Sequence, residues 1–151
     1  MADSNTLDTL LGGSGLADKA VKVDEHLVRL QWGSAFVIAG ISGSAVVAIA
    51  PLFRSLPGGK EAAFMKKLLE HNAYMGGIAS FALQPDGWIV LHAGRALKGI
   101  DAQEFATLVA GVGRFADQFD DQLVAEFYAD DRAAVATQAG AGNSGQYPAT
   151  D

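Results

Sequence analysis

The chain has 151 residues, half of them hydrophobic, which suffices for one domain with a sizeable core and is too apolar for a wholly disordered protein. Its formal net charge of -6 at pH 7 argues against nucleic-acid binding, which needs clustered lysine and arginine side chains to neutralise phosphates. It contains no cysteine, so disulfides, thiol nucleophiles and cysteine-based metal sites are excluded.

The beginning of the chain carries no targeting pattern. Residues 1–5 have no basic region and no long apolar run follows them, so we predict no signal peptide. The longest apolar segment, residues 35–53, is interrupted by Gly40, Gly43 and Pro51, whereas a membrane span needs roughly 20 apolar residues. We therefore expect a cytoplasmic protein without a membrane segment.

The first half of the chain predicts one short helix and three strands. Residues 6–11 place Leu7, Leu10 and Leu11 on one helical face, and the glycines that follow end the helix. Alternating or continuous apolar runs separated by Gly-Ser turn signals then predict strands over residues 26–32, 36–41 and 45–53.

The second half predicts a helix, a hairpin and a longer helix. Residues 60–71 have helical periodicity, and strands over 78–83 and 88–91 flank the turn Pro85-Asp86-Gly87. Asp101 and Glu104 have the spacing of a capping box at the start of the last helix. Its apolar stripe is the strongest helix signal in the chain and consists of Phe105, Leu108, Val109, Val112, Phe115, Phe119, Leu123 and Phe127.

Beyond this helix the periodicity stops. Alanine, glycine, serine and glutamine dominate from Asp130 onward. We therefore expect one domain over residues 1–129 and a flexible Ala/Gly-rich tail over residues 130–151.

No residue pattern predicts catalysis, a metal site or a cofactor. The three histidines do not pair at a metal-ligand spacing. Asp117, Asp120 and Asp121 cluster on the last helix, where a solvated face opposite the phenylalanine stripe is the simplest interpretation. We predict neither a catalytic residue nor a bound cofactor or metal.

The predicted order is α-βββ-α-ββ-α, an α+β fold with an antiparallel sheet. It contains the motifs Leu68-Leu69-x-x-Asn72, Phe81-Ala82-Leu83, Asp86-Gly87-Trp88-Ile89-Val90-Leu91 and Ile100-Asp101. This pattern resembles the type III secretion chaperones of the Tir-chaperone type, and equally the YbjN-type bacterial proteins that share their fold. The resemblance covers roughly residues 56–127, and the N-terminal third matches only in the order of its elements.

The resemblance implies a small, acidic homodimer without ATPase activity that binds an extended segment of a partner protein. It implies a dimer interface on the helix between the third and fourth strands, formed by Phe64, Met65, Leu68, Leu69 and Met75. It also implies an apolar partner-binding groove between the first helix and the sheet, lined by Leu7, Leu10, Leu11, Val28, Leu30, Trp32 and Phe36.

Three hypotheses remain open at this point. The first is a non-enzymatic homodimer that binds a client through apolar grooves and sheet edges, which would lose its dimer on substitution of Leu68 by Asp. The second is a YbjN-like regulatory or stress-linked protein without a secreted client, favoured by the alanine- and glycine-rich second and third strands. The third is a small-molecule-binding protein or an enzyme with a site between the sheet and the last helix. Leucines at helical spacing more often form core than a groove.

Overall fold

The computed structural model describes residues 6–136, which form an α+β fold, as predicted. The helices of this range are α1 (Leu7–Ser14), α2 (Glu61–Met75) and α3 (Ala102–Phe127). The strands are β1 (Ala20–Lys22), β2 (Leu27–Trp32), β3 (Ala35–Ser42), β4 (Ala45–Phe53), β5 (Ser80–Leu83) and β6 (Ile89–Ala96). None of the helices within this range is both long enough and apolar enough to span a bilayer.

The six strands form one antiparallel sheet in the order β1-β2-β3-β4-β6-β5. The chain leaves the sheet after β4, forms α2, adds the edge strand β5 and returns as β6 beside β4. The sheet therefore has two edges, the short strand β1 at one side and β5 at the other.

Local signals explain where the helices begin and end. The Thr6 hydroxyl accepts a hydrogen bond from the backbone N–H of Thr9 at the start of α1, and Gly15, with φ of 77°, ends it. Asp101 accepts from the N–H of Glu104 (2.8 Å) at the start of α3. Only half of the expected capping box forms, because the Glu104 carboxylate accepts instead from Arg95 Nε (3.0 Å) on β6.

The hydrophobic core lies between one face of the sheet and the three helices, and we call this face the inner face. Val28, Leu30, Val37 and Leu91 contribute to it from the strands, together with the phenylalanine stripe of α3. The alanines at positions 35, 39, 48 and 50 belong to the same core. Their small side chains allow α3 to lie close to β3 and β4.

Two strands differ from the sequence prediction. Strand β1 was not predicted, because its three residues carry too little pattern and it is held by pairing with β2. Strand β6 continues five residues beyond the predicted end at Leu91, because it pairs with the full length of β4, as far as Ala45 opposite Ala96.

The start of the predicted tail is part of the folded domain. Residues Arg132–Ala134 form a 3-10 turn, and Val135 forms an antiparallel bridge with Phe53 at the end of β4. Ala134, Val135 and Ala136 are 5%, 1% and 2% exposed. Packing therefore continues to at least Ala136, and the rest of the predicted tail lies outside the described residues.

Candidate protein-binding surface

The leucine face of α1, predicted to line an open groove, is buried in the core. Leu7, Leu10 and Leu11 are 2%, 1% and 6% exposed. Helix α1 packs on α3 so closely that a Cβ at Gly13 would lie 2.7 Å from the Cβ of Ala102. In this structure the leucine face of α1 is therefore packed within the chain, against α3.

The strand residues predicted for the same groove also contribute to the core. Val28 and Leu30 are fully buried on the inner face. Trp32 is half-buried against α3, where a Cβ at Gly113 would overlap its ring. Lys19 Nζ lies 5.5 Å from the centre of that ring.

Phe36 alone of the predicted groove residues points to the opposite side of the sheet, which we call the outer face. Because side chains alternate along strands, the register places Phe36, Ile38, Ile49 and Val90 together on this face. They are 4%, 4%, 7% and 1% exposed and are not members of the inner-face core. The Arg29 guanidinium lies 4.3 Å from the centre of the Phe36 ring.

Three of the five residues predicted for the dimer interface are core residues of α2. Phe64, Leu68 and Met75 are buried within the chain. Phe64 packs edge-to-face on Phe53 and Tyr128, with ring centres 5.8 and 5.6 Å apart. A charge at Leu68 would therefore destabilise the fold itself, so Leu68→Asp is not a specific test of a dimer.

The other two predicted interface residues are exposed on the outside of α2. Met65 is 41% and Leu69 is 68% exposed, and the two residues lie one turn apart on the same side of the helix. We call this pair the α2 stripe. Lys66 and Glu70 form an i,i+4 ion pair beside it.

Asn72, part of the motif that carried the family resemblance, occupies one edge of the sheet. Its Oδ1 accepts from the backbone N–H of Phe81 (2.7 Å), and its Nδ2 donates to the carbonyl of Phe81 (3.4 Å). One side chain thus satisfies both backbone groups that β5 presents at this position. The β5 edge is accordingly blocked at its centre against a further strand.

Strand β1 forms the other edge of the sheet and exposes an apolar side chain there. Val21 is 67% exposed, and Val23, which follows the strand, is 44% exposed. The Val23 N–H donates to the carbonyl of Leu27 (2.9 Å). Because N–H groups of an antiparallel strand alternate in direction, the N–H of Lys22 points away from β2. Lys22 Nζ itself lies 2.8 Å from Asp8 of α1.

The aspartate cluster of α3 has a structural role. Asp120 is 3% exposed rather than solvated, because the β2–β3 turn covers it. The Ser34 hydroxyl lies 2.6 Å from Asp120 Oδ2 and 3.0 Å from Asp117 Oδ1, and the Ser34 N–H donates to Asp117 (2.9 Å). Burial raises the pKa of Asp120, although the hydrogen bonds from Ser34 and from the Asp121 N–H oppose this effect.

The histidines do not form a site. His71 stacks on Phe119 with ring centres 4.1 Å apart, and its Nε2 is buried without a hydrogen-bond partner. Burial lowers the pKa of His71, and it also lowers that of His92 on the outer face. Within residues 6–136 no group of three or more potential metal ligands assembles.

The space between the sheet and α3, suggested for a small molecule, is filled by the core. A cavity of about 510 Å³ lies along α3 instead. It is an open groove lined in part by Ile78, Arg95, Arg114 and Phe115. At this groove Arg95 pairs with Glu104, with 3.0 Å between Arg95 Nε and Glu104 Oε1.

Comparison with solved structures identifies the architecture. One similar chain is from the heterodimeric ExoU-SpcU complex of the type III secretion system of Pseudomonas aeruginosa, with a TM-score of 0.57 and 17% identity over 76% of this chain and 95% of that one. Another is from the ExsC-ExsE complex, with a TM-score of 0.52 and 14% identity over 75% of this chain and 91% of that one. The fold is that of the type III secretion chaperones. No family model and no curated protein matches the sequence.

Proposed function

We propose that this protein is a non-enzymatic, chaperone-like protein of the bacterial cytoplasm that binds an extended segment of a partner protein as a homodimer. The similar chains come from complexes with a second protein, which supports a protein partner. The alanines of β3 and β4 favoured a regulatory function without a client, but those at positions 35, 39, 48 and 50 belong to the inner-face core, where packing of α3 accounts for their small size.

The observation that carries this proposal is the edge strand β1. It presents the exposed side chain of Val21, with that of Val23 directly after the strand, beside the backbone N–H of Lys22, which is directed away from the sheet. An extended polypeptide can add to such an edge through main-chain hydrogen bonds, and its alternate side chains then contact the exposed apolar residues. The opposite edge is less suitable, because Asn72 blocks it.

The test removes the outward backbone N–H of Lys22 and leaves the hydrogen bonds between β1 and β2 unchanged. Lys22→Pro removes this donor, and Lys22→Ala keeps it while removing the same lysine side chain and its contact with Asp8. Tagged wild-type protein and both variants are expressed in the native host, and co-purifying proteins are quantified by mass spectrometry. We expect one stoichiometric partner protein to co-purify with the wild type and with the alanine variant. The proline variant should no longer co-purify with this partner.

A partner that remains bound to the proline variant would contradict binding at β1. A clean preparation without any partner would favour the regulatory alternative and make ligand screening the next step. Both variants must show wild-type thermal unfolding, so that a loss of the partner is not a loss of the fold.

Homodimer formation is assigned to the α2 stripe, the exposed part of the predicted interface. Leu69→Asp places a charge on this surface without entering the core, because Leu69 is 68% exposed. We expect the variant to elute as a monomer in light scattering at concentrations where the wild type is a dimer, with unchanged circular dichroism. A variant that stays dimeric would exclude the α2 stripe as the interface. Lys66→Asp, on the neighbouring exposed position, serves as the control.

A further inference from the structure

We propose that the partner segment bound at β1 runs antiparallel to this strand and carries a basic residue followed by an apolar, a polar and an apolar residue. The inference rests on the proposed function, because it specifies the chemistry of the segment that binds the same edge of the sheet. The backbone groups of β1, the faces on which its side chains lie and the charges beside it each determine one part of this pattern.

Only some backbone groups of β1 can bond to a partner. The Val23 N–H donates to a carbonyl of β2 (2.9 Å). Because bonded positions alternate in an antiparallel pair, Ala20 and Lys22 direct their backbone groups away from β2. The Ala20 N–H is already used, since it donates to the carbonyl of Ala17. In the part of the chain that the structure describes, β1 therefore offers a partner the N–H and C=O of Lys22 and the C=O of Ala20.

An antiparallel partner strand satisfies all of these groups. Its residue opposite Lys22 exchanges two hydrogen bonds with Lys22, and its residue opposite Ala20 donates the third bond. A parallel partner would bond to the same groups through its residues opposite Val21 and Val23, and parallel pairing is slightly less stable per residue. The two orientations therefore differ in which N–H groups of the partner point toward β1.

The exposed valines determine which partner residues are apolar. Val21 pairs with Arg29, whose guanidinium lies over a ring of the outer face, so Val21 is on this face and Val23 follows two residues later. Partner residues opposite these two valines gain most from being apolar, because cross-strand neighbours contact each other. The partner residue between them lies beside Lys22. A polar side chain suits this position, because Lys22 forms an exposed ion pair with Asp8.

The charges at the two ends of β1 favour a basic residue on one side of the apolar pair. Asp24 and Glu25 follow Val23 directly and are exposed. At the other end Asp18 and Lys19 have opposite charges. In an antiparallel partner, the residues that precede the apolar pair lie beside the two carboxylates. A lysine or arginine at this position is therefore complementary in charge.

A synthetic peptide with single backbone N-methyl groups tests the orientation. The probe is the acetylated and amidated peptide Lys-Lys-Val-Thr-Val-Thr-Gly, titrated into isotope-labelled full-length protein while the Lys22 amide signal is followed by NMR. N-methylation of the first threonine should weaken binding by about tenfold, because its N–H donates to Lys22. N-methylation of the second valine is the matched control and should change the affinity by less than about twofold, because this N–H points away from β1.

A second peptide tests the charge. Exchanging both lysines of the probe for glutamates should weaken binding by about threefold at low salt, and added salt should reduce the difference. Equal binding of the two peptides would overturn the preference for a basic residue.

The other outcomes are equally decisive. Loss of binding on N-methylation of the valines instead of the threonines would show a parallel segment and overturn the orientation. An unchanged Lys22 signal at millimolar peptide would mean that β1 does not accept a segment of this pattern. A native partner that is lost with Lys22→Pro would then leave the proposed function intact and remove only this inference. The expected N-methyl pattern without such a partner would contradict the proposed function instead.

Discussion

On the inner face of the sheet, Leu30 and Leu91 pack under three helices, whereas on the outer face Ile38 and Ile49 pack under none of them. Both sets are nearly inaccessible to solvent. The inner face is a conventional core, in which regular elements fix every contact. On the outer face, the described contacts are those of the loop before β2, whose His26 carbonyl accepts from the Ile41 N–H, and of the Arg29 guanidinium, which lies 4.3 Å from the centre of the Phe36 ring. The comparison separates a face that is packed by helices from a face that is equally buried without them.

The largest expected effect distinguishes the two faces directly. Leu30→Ala should lower the free energy of unfolding by about 3–4 kcal/mol, because the helices cannot close the cavity. Ile38→Ala should cost about 1–2 kcal/mol, because this side chain lies outside the helix-packed core and its surroundings can close more of the cavity. Urea denaturation of both variants measures the difference. Equal costs would show that the outer face is packed as rigidly as the core.

The next effect concerns the blocked edge of the sheet. Asn72→Ala should destabilise the protein by about 1–3 kcal/mol, because both backbone groups of Phe81 lose their partner. Asn72→Asp keeps the acceptor for the Phe81 N–H and should cost less. Hydrogen exchange at Phe81 checks the mechanism, since the N–H should exchange faster in the alanine variant. Unchanged exchange would mean that Asn72 does not protect this edge.

A smaller effect should appear as the pH falls. The pKa of His71 is lowered by burial, so the unfolded chain takes up a proton below about pH 6.5 before the folded protein does. Stability is therefore lost as the pH falls through this range. His71→Phe should remove the part of this loss of stability that His71 causes, on the order of 1–2 °C in Tm. The part caused by His92, whose pKa is also lowered by burial, should remain. Calorimetry between pH 5 and 7 (about the range of histidine titration) measures it. An identical pH slope in the variant would refute this role.

The smallest expected effect comes from Asp120, and its dependence on pH is opposite in sign to that of His71. The pKa of Asp120 is raised, so the folded protein holds its proton to higher pH than the unfolded chain, and stability falls as the pH rises through that window. Relative to the wild type, Asp120→Asn should gain stability between about pH 4 and pH 7, by no more than about 3 °C in Tm. Asp117→Asn, at the more exposed carboxylate beside it, is the control. A difference that does not vary with pH would contradict a buried, titrating Asp120.

Most of the elements of the fold could be predicted from sequence, because their signals are local. Thr6 and Asp101 mark helix starts, and Gly76 and Gly87 take the positive φ values that a helix end and a tight turn need. Strand β1 could not be predicted, because its pairing with β2 arises from tertiary structure and not from its three residues.

The candidate site was harder to predict, because exposure is not a local property. Leu68 and Leu69 are adjacent and chemically identical, yet one is core and the other is on the surface. Asn72 belonged to the motif behind the family resemblance, but its function at the β5 edge required the position of Phe81.

The sequence by itself determined the number and type of most elements, their order, the turns between them and the absence of cysteine chemistry. These follow from periodicity, capping residues and composition, which act within a few residues. The tertiary structure alone decided that the leucines of α1 are core, that Asp120 is buried and that Val21 is exposed at the β1 edge of the sheet. Those properties depend on which distant segments pack together, and residue spacing does not encode that choice.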